Sequence, residues 1–239
     1  MWVPDGRKAI VEELVASMLL GQTVLLYGPM GIGKTAILKA VRRAIEKEHR
    51  PCGFSTQTRS LSDLTVALLK AYPTVRVENR TQRQIRSALR IAVENNPGVL
   101  LLDHLQNAGI QFKWYLRSLR GTGFGVLFAA DMEFNRDHRR FRSMNLTYRE
   151  MEVPPLPNVH MRRILDNTLA EKTLPYPLTA ADRSALLRVA HGRPGWIHMI
   201  GDLLQKKDCW SNGRVRAKSM QASIMIEINE RYFLPVEGG

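Results

Sequence analysis

The run Gly28-Pro29-Met30-Gly31-Ile32-Gly33-Lys34-Thr35 fits G-x-x-x-x-G-K-[ST] at every position. It constrains the fold more than any other stretch, because its chemistry works only between a strand and a helix. Both flanks are present. Thr23 to Tyr27 is a β-prone apolar run, and Ala36 to Lys47 carries Ile37, Leu38, Val41 and Ile45 on one helical face. Strand, glycine loop, helix is the order of a phosphate-binding P-loop. In such a loop the glycines let backbone N–H groups turn toward phosphate oxygens, and the helix that follows presents its positive dipole end. The residues expected on the nucleotide are Gly28, Pro29, Met30, Gly31, Ile32, Gly33, Lys34, Thr35 and Ala36. Lys34 is expected to reach the β- and γ-phosphates and the Thr35 hydroxyl to bind Mg2+.

Upstream, Asp5 to Leu20 places Ile10, Val11, Leu14, Val15, Met18 and Leu19 at helical spacing. Downstream, Cys52 to Ser55 reads as a strand, and Thr56 to Arg59 as its loop. Ser60 or Ser62 then caps a helix that runs through Tyr72. Gln82 to Asn95 is a further helix, with Ile85, Leu89 and Val93 four apart on one face. The second chemically loaded stretch is Gly98-Val99-Leu100-Leu101-Leu102-Asp103-His104. Its unbroken apolar run marks a strand buried on both faces of a parallel sheet, with an acid at the carboxyl end where such sheets bind ligands. This is the Walker B pattern, and Asp103 is expected to hold Mg2+ opposite Thr35. The residue after it, often Glu in such ATPases, is His104. A neutral imidazole lacks a carboxylate's standing charge, which favours slow hydrolysis, and His104→Glu is expected to raise turnover.

Ile110 to Arg120 reads as a helix on which Lys113, Arg117 and Arg120 share a face, a basic stripe for DNA or an exposed solvated one. Gly125 to Ala130 is another buried strand, ended by Asp131. Arg136, Arg139, Arg140 and Arg142 follow, suited to a neighbouring subunit's γ-phosphate, to nucleic acid or to a solvated helix face. Tyr148 to Val153 is a last strand, closed by Pro154-Pro155. Beyond the prolines, Asn158 to Lys172, Ala180 to Ala190, Pro194 to Lys207 and Ala217 to Phe233 all read helical with no strand between. The expected division is an α/β domain over residues 1–155 and a helical lid over 156–239. Pro194 suits a helix start, and Arg193 beside it is within reach of a phosphate.

Composition bears on partners. Thirty-five Lys+Arg against 22 Asp+Glu leave a formal charge of +13, which attracts polyanions and points to nucleic acid. Cys52 and Cys209 are the two cysteines, too few for a disulfide framework, so a reducing cytoplasm is expected. No run of about 18 apolar residues occurs, so no membrane span is expected.

P-loop, Walker B, a fourth strand with a polar end, an arginine-rich segment, a Pro-Pro hinge and a helical lid together resemble an AAA+ ATPase. The compact size, basic balance and Ser60-Leu61-Ser62-Asp63-Leu64 helix are similar to the transposition-regulator branch, the TniB, IstB and Mu B type. Origin-recognition initiators and archaeal P-loop ATPases are close relatives of that branch. The resemblance implies a three-layer α/β P-loop sandwich with a parallel sheet and a small C-terminal helical lid. It also implies ATP as ligand, homo-oligomers in a ring or helical filament on duplex DNA, and an effector such as a transposase. Asp131 falls at the sensor 1 position, normally Asn, Thr or Ser, and Arg140 and Arg142 lie near the origin of the arginine finger. The arginine slot of sensor 2 holds Gly195. Gly192-Arg193-Pro194 also resembles the STAND-type signalling ATPases, in which the proline contacts adenine; this keeps a nucleotide-gated signalling module as the alternative. Arg59, Lys113, Arg117 and Arg120 are the positions expected on DNA. Lys34→Ala is expected to abolish nucleotide binding in an ATP titration, and unchanged affinity and assembly would remove the loop from the mechanism.

Overall fold

The computed structural model describes residues 6–56, 60–104, 110–119, 121–131 and 147–233, with the backbone alone for 110–113 and 229–233. Arg59, Arg120, Arg140 and Arg142 lie outside the described residues, and so does the Lys113 side chain. The chain forms two compact units. The first takes the chain up to Pro29 together with Lys34–Val153, and the second takes Met30–Gly33 together with the chain from Pro154 onward.

In the first unit the order is α1 (Lys8–Leu19), β1 (Thr23–Gly28), α2 (Lys34–Lys47), β2 (Cys52–Ser55), α3 (Leu61–Ala71), α4 (Gln82–Asn95), β3 (Val99–Leu102), α5 (Ile110–Ser118), β4 (Gly125–Asp131) and β5 (Arg149–Glu152). The strands form one parallel sheet in the order β2-β3-β4-β1-β5. Every residue of β3 and β4 is buried, as expected for the inner strands of a sheet covered on both faces. Side chains alternate between those faces. Leu25, Leu100, Leu102, Val126 and Phe128 pack with Leu64, Leu68, Leu89, Val93 and Leu116 of α3, α4 and α5. The alternate set, Val24, Leu26, Val99, Leu101 and Leu127, is fully buried and turns to the opposite face, where α1 and α2 lie. Helices on both faces of a parallel sheet make the three-layer α/β arrangement that the strand and helix order implies.

Local signals set the ends of these elements. Of the two serines that could cap α3, Ser60 does so: its Oγ accepts from Asp63 N–H, and the Asp63 carboxylate accepts from Ser60 N–H. Thr81 and Gln84 repeat the device on α4. The P-loop helix begins at Lys34, two residues before the sequence pattern places it. Edge strand β5 is mostly exposed, and its Arg149 ties to α1 through Glu13 at 2.9 Å and Ser17 Oγ at 3.0 Å. One buried cation was missed. Arg7 is 3% exposed, and burial pushes its guanidinium down to about 10. It falls on the stripe of Val11, Leu14 and Met18, so applying helical spacing to charged residues too would have flagged it.

The second unit holds α6 (Asn158–Ala170), α7 (Ala180–Ala190), α8 (Pro194–Leu204), a 3-10 turn (Lys207–Cys209), β6 (Trp210–Ser211), β7 (Arg214–Val215) and α9 (Ala217–Phe233). The hairpin of β6 and β7 corrects the expectation of helices alone. Its signal was legible, because Asn212-Gly213 supplies two successive positive φ angles, 50° and 73°, the requirement of a tight two-residue hairpin turn. The two-residue strands are too short for an alternating pattern to register. Asp182 joins this hairpin to α7: its carboxylate accepts from Thr179 N–H and Oγ–H in a capping box and from Val215 N–H. None of the described helices is long and apolar enough to cross a membrane. Asp182→Ala is expected to destabilise the second unit by about 1–2 kcal/mol in denaturant melts through loss of the cap. Asp166→Ala, which removes the partner of an exposed Arg183 ion pair, should change stability by less than ~1 kcal/mol.

Candidate nucleotide-binding site

The register of β1 against β4 builds the site. Gly28 stands opposite Asp131, so the start of the glycine loop and the acid that ends β4 share the carboxyl edge of the sheet. Lys34, at the start of α2, is 5% exposed. Its Nζ donates to Gly28 O at 2.7 Å and Pro29 O at 3.0 Å, and meets Asp131 Oδ1 at 2.6 Å. An ammonium has three N–H groups, and these three oxygens match them. The Asp131 side chain is buried as well. Burial alone would raise its carboxyl, but the approach of His104 and then the Lys34 ammonium outweigh that and hold it at about 2, against an ordinary 3.8. It stays a carboxylate at any pH near neutral.

Thr35 Oγ donates to Asp103 Oδ2 at 2.6 Å, so the hydroxyl of the loop and the acid after β3 meet across 68 positions of sequence. Asp103 is 2% exposed, and its other oxygen accepts from His104 N–H at 3.0 Å. His104 takes a left-handed φ of 54°, which turns its ring back toward the sheet edge. There Nδ1 lies 3.6 Å from Asp131 Oδ2, and that carboxylate raises the His104 pKa above its ordinary value despite opposing desolvation. Lys34, Thr35, Asp103, His104 and Asp131 thus form one cluster. Within the second unit, Gly33 has a φ of 102° and open space where a Cβ would stand, the backbone form of an anion cradle.

Other expected residues take different places. Pro194 is the first residue of α8, as its fixed φ favours. Arg193 lays its guanidinium over the Trp196 ring at 4.6 Å. Gly195 N–H donates to Gly31 O at 2.8 Å. Trp196 was missed by the sequence reading, yet it is 3% exposed and packs on Gly31. On α5, exposed Arg117 lies 6.0 Å over Trp114, itself 64% exposed.

The His104 and Asp131 pair changes one expectation. A glutamate at 104 would face the Asp131 carboxylate, so His104→Glu alone sets two like charges together. Turnover of His104→Glu is expected at or below the unsubstituted rate in a steady-state ATPase assay. A rise from the single substitution alone would contradict this.

Residues 24–119 match the family model described as "ATPase family associated with various cellular activities (AAA)". Among curated proteins, "Lon protease homolog, mitochondrial" of Homo sapiens is 28% identical over 109 residues, 44% of this chain and 10% of that protein. The chain therefore matches about a tenth of that relative's length. Solved structures similar over nearly the whole chain include the ORC1 protein of Aeropyrum pernix in complex with DNA, with a TM-score of 0.60 at 17% identity, covering 98% of this chain and 70% of that one. The ADP form of the ORC2 protein of Aeropyrum pernix gives 0.57 at 15%, covering 94% and 70%. AMPPCP-bound DnaA of Aquifex aeolicus gives 0.52 at 21%, covering 99% and 74%. The match over residues 24–119, the order of the sheet and the likeness to these structures show that this chain has the AAA+ P-loop NTPase fold.

Proposed function

We propose that the chain binds ATP with Mg2+, hydrolyses it slowly, and assembles on duplex DNA in an ATP-dependent manner to recruit or regulate a DNA-processing protein such as a transposase. In this reading residues 1–155 are the ATPase domain, 156–239 are a helical lid, and the setting is cytoplasmic. The cluster of Lys34, Thr35, Asp103 and Asp131 is the observation that carries it. A hydroxyl and a carboxylate are hard oxygen donors of the kind Mg2+ takes, so Thr35 and Asp103 would hold it. Mg2+ when bound offsets phosphate charge. Lys34 binds phosphate by exchanging one of its oxygen partners for a phosphate oxygen, and Asp131 holds the ammonium at the mouth of the loop meanwhile. His104 offers its second ring nitrogen as an acceptor, oriented by Asp131 through Nδ1. The Asp131 carboxylate beside that ring is engaged by Lys34, which favours retention of ATP over rapid turnover.

The charge of +13 supports a polyanionic partner. The similarity to the ORC1 protein of Aeropyrum pernix, solved in complex with DNA, supports the same reading. Arg59, Lys113, Arg117 and Arg120 are the proposed DNA contacts, and Arg140 or Arg142 the proposed finger on a neighbouring subunit's γ-phosphate in a ring or helical filament. A second reading, a STAND-like signalling ATPase without a direct DNA role, draws on Pro194 at the first position of α8. Retention on duplex DNA with and without ATP across a salt series separates the two. The expected result is ATP-dependent binding that weakens steeply as salt rises; no binding at low salt with ATP would overturn the DNA reading.

A further inference from the structure

We infer that the first turn of α8 is the positioning element of the phosphate loop, Gly195 and Trp196 fixing the Gly31 peptide for the nucleotide; this rests on the nucleotide-site reading above. Gly195 N–H donates to Gly31 O at 2.8 Å. In a planar trans peptide the carbonyl of Gly31 and the N–H of Ile32 point in opposite directions. Locking the carbonyl onto α8 therefore sends the Ile32 N–H to the side away from α8. Backbone N–H groups are what a P-loop offers to phosphate, so this contact sets the direction of one of them.

The contact requires two bare backbones. A Cβ at Gly195 would stand 2.8 Å from Gly31 Cα and 3.1 Å from Gly31 O. A Cβ at Gly31 would stand 2.7 Å from Trp196 Cδ1, at a φ of 80° that side chains rarely adopt. Glycine at 195, where the resembling ATPases carry an arginine, is thus a place of close approach and not only a missing side chain. Trp196 is held in turn by the Arg193 guanidinium over its ring and by the His191 edge at 6.2 Å. Its Nε1 is buried with no hydrogen-bond partner among the described residues. Gly195 and Trp196 line a cavity of about 450 Å³ alongside Met30 and Gly31. The indole therefore reports on, and restrains, the loop segment it covers.

Gly195 is the second residue of α8, where alanine is the better helix former. A glycine that served only as a helix residue there would accept alanine without loss. Gly195→Ala is instead expected to weaken binding of a fluorescent ATP analogue about ten-fold by overpacking on Gly31, at a temperature well below a Tm that falls by only the few degrees overpacking costs. Trp196→Phe should keep affinity within about three-fold, since a ring still covers Gly31, and abolish the ATP-dependent change in tryptophan emission. Unchanged affinity in Gly195→Ala, an affinity loss that is accounted for by the fraction of unfolded Gly195→Ala at the assay temperature, or an emission change that survives Trp196→Phe would overturn the inference. Failure of the unsubstituted chain to bind the analogue would overturn the nucleotide-site reading and this inference with it.

Discussion

A buried ammonium with three matched acceptors organises the first unit. Lys34 Nζ is satisfied by two carbonyls of the loop it belongs to and by a carboxylate from β4. Leaving such a charge without its partner costs about 3–5 kcal/mol, so the loop, the start of α2 and the end of β4 form one electrostatic unit. The arrangement needs β4 beside β1 in a register that sets Asp131 against Gly28, which the β2-β3-β4-β1-β5 order provides. The sheet is therefore more than a scaffold. Its strand order decides which acid meets which cation.

The same acid alters the chemistry expected after β3. In the ATPases that this chain resembles, a carboxylate commonly follows the Walker B acid, and the fourth strand ends in a neutral polar group. Here His104 follows Asp103, and the carboxylate is Asp131. The negative charge is kept while its address changes. At its new address it is committed to Lys34 and, at 3.6 Å, to the His104 ring. A carboxylate held at about 2 is a weak proton acceptor, which fits a site built to hold a nucleotide.

Much of this was legible in the sequence because strong periodic signals met strong local ones. α4 and β2 fall where the spacing of Ile85, Leu89 and Val93 and the short run after Pro51 place them. Asp103 and Thr35 were paired in expectation by motif alone, and they meet at 2.6 Å. What escaped was of two kinds. The β6–β7 hairpin has strands of two residues, too short for alternation, although Asn212-Gly213 announced its turn. Trp196 and Gly195 escaped because close approach of two backbones leaves no mark in hydropathy. A glycine in a slot associated with arginine reads as a loss until the contact at Gly31 is seen.

Lys34, Thr35, Asp103 and Asp131 together are the proposed site for Mg2+ and ATP. Calorimetric titration of ATP with and without Mg2+, on the unsubstituted chain and on Asp103→Ala, tests it most directly. Mg2+ is expected to strengthen binding to the unsubstituted chain, and Asp103→Ala to remove this dependence while ATP without Mg2+ still binds. ATP affinity indifferent to both Mg2+ and Asp103 would contradict it.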